Sequence, residues 1–229
     1  TKYNPRDFVD LDKIPLPDWS LIEVEKYVRR KFYAKKVLTI NTSRGCPYKC
    51  SFCCVPKVHQ GNWRAMRPER IITQLKILKK NYQIDGFQVD DEEFDIDRAR
   101  VLELCRLFKK ENLKLKWSHF SRVNIVKEEV LKEEISCGLQ LIEFGVESGS
   151  SRMLEFLNKN QTLEQITGAY RLCRSLSLKT SALFMIGLPT EEPEEVKQTL
   201  NLIKGLRSHL TICTVYKPYP GTELFNYCL

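Results

Sequence analysis

Short apolar runs alternate along the chain with longer segments whose apolar residues recur at helical spacing. The first run, residues 37–42, is compact and rich in β-branched residues, which predicts a strand. Pro68 then opens a segment with Ile71, Leu75 and Leu78 on one face. This pattern predicts a helix, in which proline is tolerated in the first turn because that N–H has no helical partner. Further strands are predicted at about 84–90, 113–119, 139–146, 179–186 and 210–216.

Helical segments separate these strands. Val101, Leu104 and Phe108 recur at helical spacing, and Gly138 is placed to end the helix that precedes it. Thr162 and Gln165 have the form of a capping box, in which each residue's side chain bonds the other's backbone N–H at a helix start. The helices after the one that begins at Pro68 are predicted at about 97–111, 127–137, 162–177 and 193–208.

The alternation of strands and helices predicts an α/β fold with a parallel sheet, because right-handed crossovers place successive strands side by side. Six such units are fewer than the eight that close a full barrel. We therefore predict a partial (βα)6 barrel of the TIM type. In such a fold the carboxyl ends of the strands meet at one mouth, where chemistry usually takes place.

Residues 1–36 are predicted to form a leading segment or linker, and residues 37–229 the main domain. Two prolines, Pro15 and Pro17, favour extended or turn structure, and Asp18 is placed to cap a short helix that runs to about Arg30. The chain begins with Thr1 and stops just after an incipient helix. We expect it to be a fragment of a longer protein.

The composition is that of one globular domain, with 229 residues of which 42% are hydrophobic. The net charge of +8 is uneven: residues 1–80 hold 18 Lys and Arg against 7 Asp and Glu. A basic surface can attract an anionic partner such as tRNA. The basic residues do not interleave with aromatic residues, so a solvated lysine-rich surface is favoured over a nucleic-acid site.

The chain contains nine cysteines but neither a signal peptide nor a transmembrane run. A disulfide framework is therefore not expected. We expect a reducing, cytoplasmic location instead. Five of the cysteines share no spacing and are interpreted as core or surface thiols: Cys105, Cys137, Cys173, Cys213 and Cys228.

Cys46-Pro-Tyr-Lys-Cys50-Ser-Phe-Cys53 follows the first predicted strand and supplies three thiols to one small volume. A structural zinc site usually has four ligands, from two C-x2-C knuckles or from one knuckle and two histidines. The chain has no second knuckle, and its three histidines are isolated from one another. An iron–sulfur cluster is therefore favoured, with zinc and plain thiols left as alternatives. Three thiolates leave one iron of a four-iron cluster open to a substrate or cofactor.

The cysteine motif, with aromatic Phe52 before its last cysteine, resembles the signature of the radical S-adenosylmethionine (SAM) superfamily. Further blocks follow in the order that the family shows: Val89-Asp-Asp-Glu-Glu-Phe94, Phe144-Gly-Val-Glu-Ser-Gly-Ser150, Met185-Ile-Gly-Leu-Pro189 and Pro218-Tyr-Pro-Gly-Thr-Glu-Leu224. The resemblance covers roughly residues 37–229 and is greatest to the subgroup that often carries an upstream cobalamin-binding domain.

The resemblance implies a 4Fe-4S cluster bound by Cys46, Cys50 and Cys53, with SAM chelated to the fourth iron. One electron, from a reductant such as flavodoxin or ferredoxin, would then cleave SAM to a 5'-deoxyadenosyl radical. Cys54 is an alternative to Cys53, but the position of Phe52 and the family pattern favour Cys53.

Phe52 and further family positions imply contacts with SAM. Asp90 and Asp91 match the motif that accepts hydrogen bonds from the SAM amino group, although the usual glycines are absent. Glu147 matches the position that accepts from the ribose hydroxyls. Gly187 and Pro189 match the turn that adenine approaches, where a glycine leaves room beside the backbone. The less favoured candidates for SAM are Glu92, Ser148 and Arg152, with Glu191 in the adenine loop. Ser118 and His119 end the third predicted strand and are expected to face the mouth, where one of them is a candidate for contact with substrate.

The sequence thus predicts a radical SAM enzyme core, with cobalamin-dependent methyl transfer or oxidative cyclisation as the leading reaction. A tRNA-modifying enzyme similar to the methylthiotransferases is an alternative, because the amino-terminal third is basic. A non-catalytic iron–sulfur electron carrier is the alternative from a different class of protein.

Overall fold

The computed structural model describes residues 8–229, so the first seven residues of the predicted leading segment lie outside it. Seven strands form one curled sheet in the order β1-β2-β5-β6-β7-β8-β9, and two short strands pair separately. The strands are Arg29–Lys31 (β1), Ala34–Ile40 (β2), Ser43–Arg44 (β3), Arg64–Ala65 (β4), Gly86–Val89 (β5), Lys116–Ser121 (β6), Leu139–Glu147 (β7), Lys179–Ile186 (β8) and Leu210–Val215 (β9).

Helices connect successive parallel strands. Those of the described chain are Val55–Val58 (α1), Pro68–Tyr82 (α2), Arg98–Lys110 (α3), Glu128–Ser136 (α4), Ser151–Phe156 (α5), Leu163–Ser175 (α6), Pro193–Leu206 (α7) and Glu223–Tyr227 (α8). The apolar face of α2 packs into the main core through Ile71, Leu75 and Leu78, as its helical spacing requires. None of the described helices is both long and apolar enough to cross a membrane.

The six strands from β2 to β9 in the main sheet are parallel, and the predicted partial barrel is confirmed. The edge strands β1 and β9 do not pair with each other, so the barrel stays open. Large side chains fill the space between sheet and helices, among them Phe87, Trp117 and Phe144, which are almost completely buried.

Two turn predictions are confirmed. Thr162 and Gln165 form the capping box at the start of α6, with hydrogen bonds of 3.0 and 3.2 Å. Gly138 follows α4 with φ of 112°, and a Cβ built on it would lie 2.3 Å from the carbonyl oxygen of Leu115. Only glycine therefore fits between α4 and β7.

The predicted helix from Asp18 to about Arg30 is wrong. Asp18 does cap a turn, by accepting from the Ser20 N–H, but two short 3-10 turns follow and residues 29–31 join the sheet as β1, antiparallel to β2. Val24 is buried, whereas Leu21 and Ile22 are exposed. The segment therefore has no continuous apolar face that packing can stabilise as an α-helix.

Candidate functional site

Five parallel strands carry residues of interest to the same edge of the sheet, where their carboxyl ends meet. These residues are the cysteine loop 45–54 after β2, Asp90 after β5, Arg122 after β6, Glu147 at the end of β7 and Gly187 after β8. Of these, Arg122 was not among the residues that the sequence indicated.

Backbone hydrogen bonds hold the cysteine loop in place. The Ser51 N–H donates to the Leu157 carbonyl at 3.0 Å, and the Ser51 carbonyl accepts from the Leu224 N–H at 3.1 Å. Gly45 begins the loop with φ of 88°, and an added Cβ would lie 2.0 Å from the Asn62 carbonyl oxygen. The loop is thus fixed by the turn after α5 and by α8, and its first turn requires glycine.

Cys46, Cys50 and Cys53 are half-buried. The backbone N–H groups of Tyr48 and Val55 donate to the sulfurs of Cys46 and Cys53, respectively. Burial nevertheless raises the pKa of Cys46 to about 11 and raises that of Cys53. These two groups are therefore protonated thiols at neutral pH, and metal binding must release their protons.

The spacing of the thiols bears on which metal group they suit. Among residues 8–229, no three cysteine sulfurs lie within 4.8 Å of one another. Sulfurs that share one tetrahedral zinc, with bonds of about 2.3 Å, stand only about 3.8 Å apart. The sulfurs of Cys46 and Cys53 still interact electrostatically with that of Cys50. A cluster in which each cysteine binds a different iron fits this wider arrangement better than a single zinc ion does.

Cys54 and Phe52 have visible structural roles. Cys54 is the N-cap of α1, and its carbonyl accepts from the N–H groups of Lys57 and Val58 at 3.0 Å. The Phe52 ring packs against a small apolar cluster next to the loop, formed by Met153, Leu157, Leu188 and Leu224. These contacts place Phe52 beside the three thiols, while its contact with SAM stays a prediction.

Two cations lie at the cysteine loop. Arg122 donates from Nη1 to the Cys50 sulfur at 3.4 Å, and its guanidinium carbon is 3.9 Å from the centre of the Tyr48 ring. Arg122 also donates to the Lys159 carbonyl. The Lys159 ammonium is 5.8 Å from the centre of the Phe52 ring. Positive charge beside thiolates is expected to stabilise an anionic cluster.

Glu147 forms a buried ion pair with Lys159, with 2.7 Å between Oε1 and Nζ. Its backbone has φ of 70°, which is uncommon for a residue other than glycine. A Cβ added to Gly145 would lie 2.6 Å from Oε1 of Glu147 and 2.8 Å from Nζ of Lys159. Glycine at residue 145 therefore leaves room for the pair in its present position, and the pair holds the carboxylate for which a ribose contact is predicted.

Asp90 and Asp91 have different environments. The carboxylate of Asp91 is buried and accepts from the Thr42 N–H, the Thr42 hydroxyl and the Ser43 hydroxyl at 2.6 to 2.7 Å. Asp90 is exposed, and its backbone carbonyl accepts from the Asn41 side chain. The carboxylate of Asp91 is thus occupied by the segment that leads into the cysteine loop, whereas Asp90 is exposed and interacts electrostatically with Glu143.

Glu93 is a buried carboxyl group that sequence reasoning missed. Its neighbours Asp95, Arg122 and Lys159 interact with it, and burial raises its pKa to about 8. Within residues 8–229, its Oε1 has no hydrogen-bond partner. The only signal in the sequence was the second glutamate of Asp-Asp-Glu-Glu, next to the two aspartates that we selected.

The loop after β8 is held by its own glutamate. Gly187 has φ of 71°, and its N–H donates to Glu191 Oε2 at 2.6 Å. Pro189 is half-buried and Thr190 has φ of 65°. Arg152 donates to the Thr190 carbonyl and pairs with Glu195, so this arginine connects α5 to the loop and to α7.

His119 does not face the mouth, contrary to our prediction. It is completely buried on the helix side of the sheet, 3.4 Å from Glu134 of α4 and 3.5 Å from Asp95. Burial raises the pKa of Glu134 far above its usual range. The orientation follows from strand alternation, because His119 shares the face of β6 with Trp117 while Ser118 points the other way, to the Tyr33 hydroxyl at 3.0 Å.

Residues 40–203 match the family model described as the radical SAM superfamily. The chain therefore belongs to the radical SAM superfamily, as its cysteine motif and partial barrel predict. Two relatives are similar over almost the whole chain. A protein of Pyrococcus horikoshii named as an uncharacterized methyltransferase is 34% identical over 98% of this chain, and the anaerobic magnesium-protoporphyrin IX monomethyl ester cyclase of Rubrivivax gelatinosus is 31% identical over 95%.

A solved structure has the same fold. The radical SAM methyltransferase TsrM of Kitasatospora setae, with cobalamin and a 4Fe-4S cluster bound, matches 86% of this chain with a TM-score of 0.74 and 20% sequence identity. The chain spans 49% of the Pyrococcus protein, 39% of the Rubrivivax cyclase and 39% of the TsrM chain. It thus corresponds to half or less of each.

Proposed function

We propose that this chain is the catalytic core of a radical SAM enzyme in which Cys46, Cys50 and Cys53 bind a 4Fe-4S cluster. The observation that carries the proposal is the set of three half-buried thiols, fixed in a loop at the strands' carboxyl ends and contacted by Arg122. Membership of the superfamily supports it. When bound, the cluster supplies the electron that cleaves SAM to methionine and a 5'-deoxyadenosyl radical.

The chain's own residues bind and orient SAM. Asp90, exposed at the end of β5, accepts from the SAM ammonium through its carboxylate, or Asp91 does so through backbone atoms that its fixed side chain positions. Glu147 accepts from the ribose hydroxyls while Lys159 holds its carboxylate. Gly187 and Pro189 leave space for adenine beside the backbone, and Phe52 closes the apolar side of the loop.

The reaction that we favour for the whole protein is cobalamin-dependent methyl transfer or oxidative cyclisation. The names of the relatives support it, since they include methyltransferases and a cyclase and the matched TsrM structure contains cobalamin. Cobalamin would be held by a domain outside these 229 residues. A low-potential flavodoxin or ferredoxin would deliver the electron in a reducing cytoplasm.

The first test is anaerobic reconstitution with iron and sulfide, followed by reduction with SAM and chromatography for 5'-deoxyadenosine. We expect iron binding, a change in the cluster's electron paramagnetic resonance (EPR) spectrum on addition of SAM, and formation of the product. Cys50→Ser should abolish all three, whereas Cys213→Ser, which changes an exposed thiol on β9, should abolish none. A stable cluster that neither responds to SAM nor yields product would instead indicate an electron carrier.

The reaction subclass requires the full-length protein. Retention of cobalamin, detected by its visible absorption, with methyl transfer from SAM or ring formation would support the favoured reading. A full-length chain that binds no cobalamin but carries a second cluster and modifies tRNA would favour the methylthiotransferase-like alternative.

A further inference from the structure

Cys105 and Cys137 are in contact, although 31 residues separate them along the chain. Their sulfurs are 3.3 Å apart. Cys105 lies on the buried face of α3, and Cys137 caps the end of α4 just before β7. Nothing in the spacing of the nine cysteines indicated this pair, because it depends on how α3 packs beside α4. A disulfide requires two sulfurs whose side chains face each other, and this packing supplies them.

The pair lies far from the cysteine loop in the fold. Cys137 precedes the amino end of β7, and the adjoining groove includes Leu115 and Lys116 at the amino end of β6. The cysteine loop lies instead at the carboxyl ends of the parallel strands. Chemistry at Cys105 and Cys137 is therefore independent of the proposed cluster.

One residue of the pair lies at the surface. Cys137 is half-buried and lines a surface groove of about 480 Å³, whereas Cys105 is buried. The contact with Cys137, together with burial, raises the pKa of Cys105. Cys137 is therefore the sulfur that a reagent reaches first, and Cys105 stays a protonated thiol until its neighbour has reacted.

The groove has a positive character. Lys109, Lys114 and Lys116 line it, and none of its lining residues in the described chain carries a carboxylate. Lys109 pairs with Glu133 beside the groove, while Lys114 and Lys116 are exposed. An anionic reagent is favoured over a cationic one at such a surface.

We propose that Cys105 and Cys137 form a thiol-oxidation site that reacts with small anionic disulfides of the glutathione type. The Cys137 thiolate attacks one sulfur of the disulfide, a mixed disulfide forms and one thiolate leaves. The Cys105 sulfur then attacks that of Cys137, gives up its proton and displaces the second thiolate. Two protein thiols and one small disulfide thus become one protein disulfide and two small thiols, and excess thiol reverses the exchange.

The test uses the chain reconstituted with its cluster under anaerobic conditions and then exposed to glutathione disulfide. We expect a peptide that links Cys105 to Cys137 on non-reducing digestion, and its loss on addition of dithiothreitol. Cys105→Ser should instead accumulate a glutathione adduct on Cys137, because the second step is blocked. Cys137→Ser should give neither the link nor an adduct on Cys105.

Two controls make the result decisive. Cys213 and Cys228 are exposed and monitor general thiol reactivity. Cys105→Ser and Cys137→Ser should both retain the iron content and melting temperature of the parent. Modification of Cys213 and Cys228 without a link between Cys105 and Cys137 would overturn the proposal. Cationic cystamine should form the link about tenfold more slowly, and equal rates would overturn the preference for an anionic reagent.

Discussion

Arg122, at the carboxyl end of β6, donates a hydrogen bond to the sulfur of Cys50 at 3.4 Å, across 72 positions of sequence. The same guanidinium stacks on Tyr48 and donates to the Lys159 carbonyl, so its position is fixed from three sides. A fixed cation at a ligand sulfur stabilises the more negative, reduced form of a cluster more than the oxidised form.

We predict that Arg122→Gln lowers the reduction potential of the bound cluster by tens of millivolts, where about 59 mV corresponds to a tenfold change in a one-electron equilibrium. The measurement is a redox titration followed by EPR, with iron content determined in parallel. Arg122→Lys is the control, because it retains the charge but loses the planar fork, and should shift the potential less. An unchanged potential in Arg122→Gln, at full iron content, would contradict the prediction.

The ion pair of Glu147 and Lys159 should position SAM. Breaking a buried pair by removing one partner costs about 3–5 kcal/mol of stability, and both side chains are buried here. We expect Glu147→Gln to weaken SAM binding and lower the free energy of unfolding while iron content stays unchanged. Titration of the reconstituted cluster with SAM, read by EPR, measures the first effect.

Gly145→Ala tests the same pair without changing either charge. Its Cβ would overlap Glu147 Oε1 and Lys159 Nζ, so the ends of both side chains must shift. We therefore expect Gly145→Ala to weaken SAM binding, but less than Glu147→Gln does, because the flexible side-chain ends can move while both charges stay. Gly168→Ala, on α6 with no atom within 4 Å of the added Cβ, is the matched control. Full SAM affinity in Gly145→Ala would show that SAM binding does not depend on the present position of these side-chain ends.

The raised pKa of Glu93 predicts that stability depends on pH. Its folded-state pKa is about 8, against 4.5 for an ordinary glutamate side chain. Between these values the folded protein binds a proton that the unfolded protein has released, so this contribution to stability is complete below pH 4.5 and is lost as the pH rises through 8.

The slope from this one group is at most about 1.4 kcal/mol per pH unit. Urea unfolding of the cluster-free chain at several pH values measures it. Glu93→Gln should flatten the curve between pH 4.5 and 8, because glutamine mimics the neutral acid at every pH. A curve for Glu93→Gln that parallels the parent would show that Glu93 is not the responsible group.

His119 now has a structural interpretation that can be tested. It lies between Glu134 and Asp95 on the helix side of the sheet. His119→Ala should lower the free energy of unfolding by about 2–4 kcal/mol, through the cavity and the buried carboxyl groups that it leaves. SAM affinity and the yield of 5'-deoxyadenosine per bound cluster should stay unchanged. A His119→Ala variant of normal stability with lower SAM affinity would contradict this structural role and support a role in the site.

Much of the fold could be predicted from local patterns. The six parallel strands coincide with apolar runs, and Thr162 and Gly138 mark helix ends through chemistry that acts within a few residues. The prediction of a helix in the leading segment was wrong, because only the structure shows that residues 29–31 add to the edge of the sheet. Propensity is a weak guide where a neighbouring strand decides the conformation.

The site could be predicted less completely. The three cysteines can be recognised from their spacing in the sequence. Arg122 and Lys159 cannot, because only the fold brings these two cations to the loop. The contact of Cys105 with Cys137 is likewise a result of helix packing. Asp91 shows the reverse case, since the motif indicated it but the fold uses its carboxylate internally.

The structural role of the Asp91 carboxylate allows the roles of Asp90 and Asp91 to be distinguished by experiment. Asp91 accepts three hydrogen bonds from Thr42 and Ser43, which lead directly into the cysteine loop. Its removal leaves buried donors unsatisfied, at a cost of about 1–3 kcal/mol each. We therefore expect Asp91→Ala to lower both the melting temperature and the iron content. Asp90→Ala should retain both and weaken SAM binding alone, because Asp90 is exposed. If Asp90→Ala binds SAM like the parent and Asp91→Asn, at full iron content, does not, the ammonium contact belongs to Asp91.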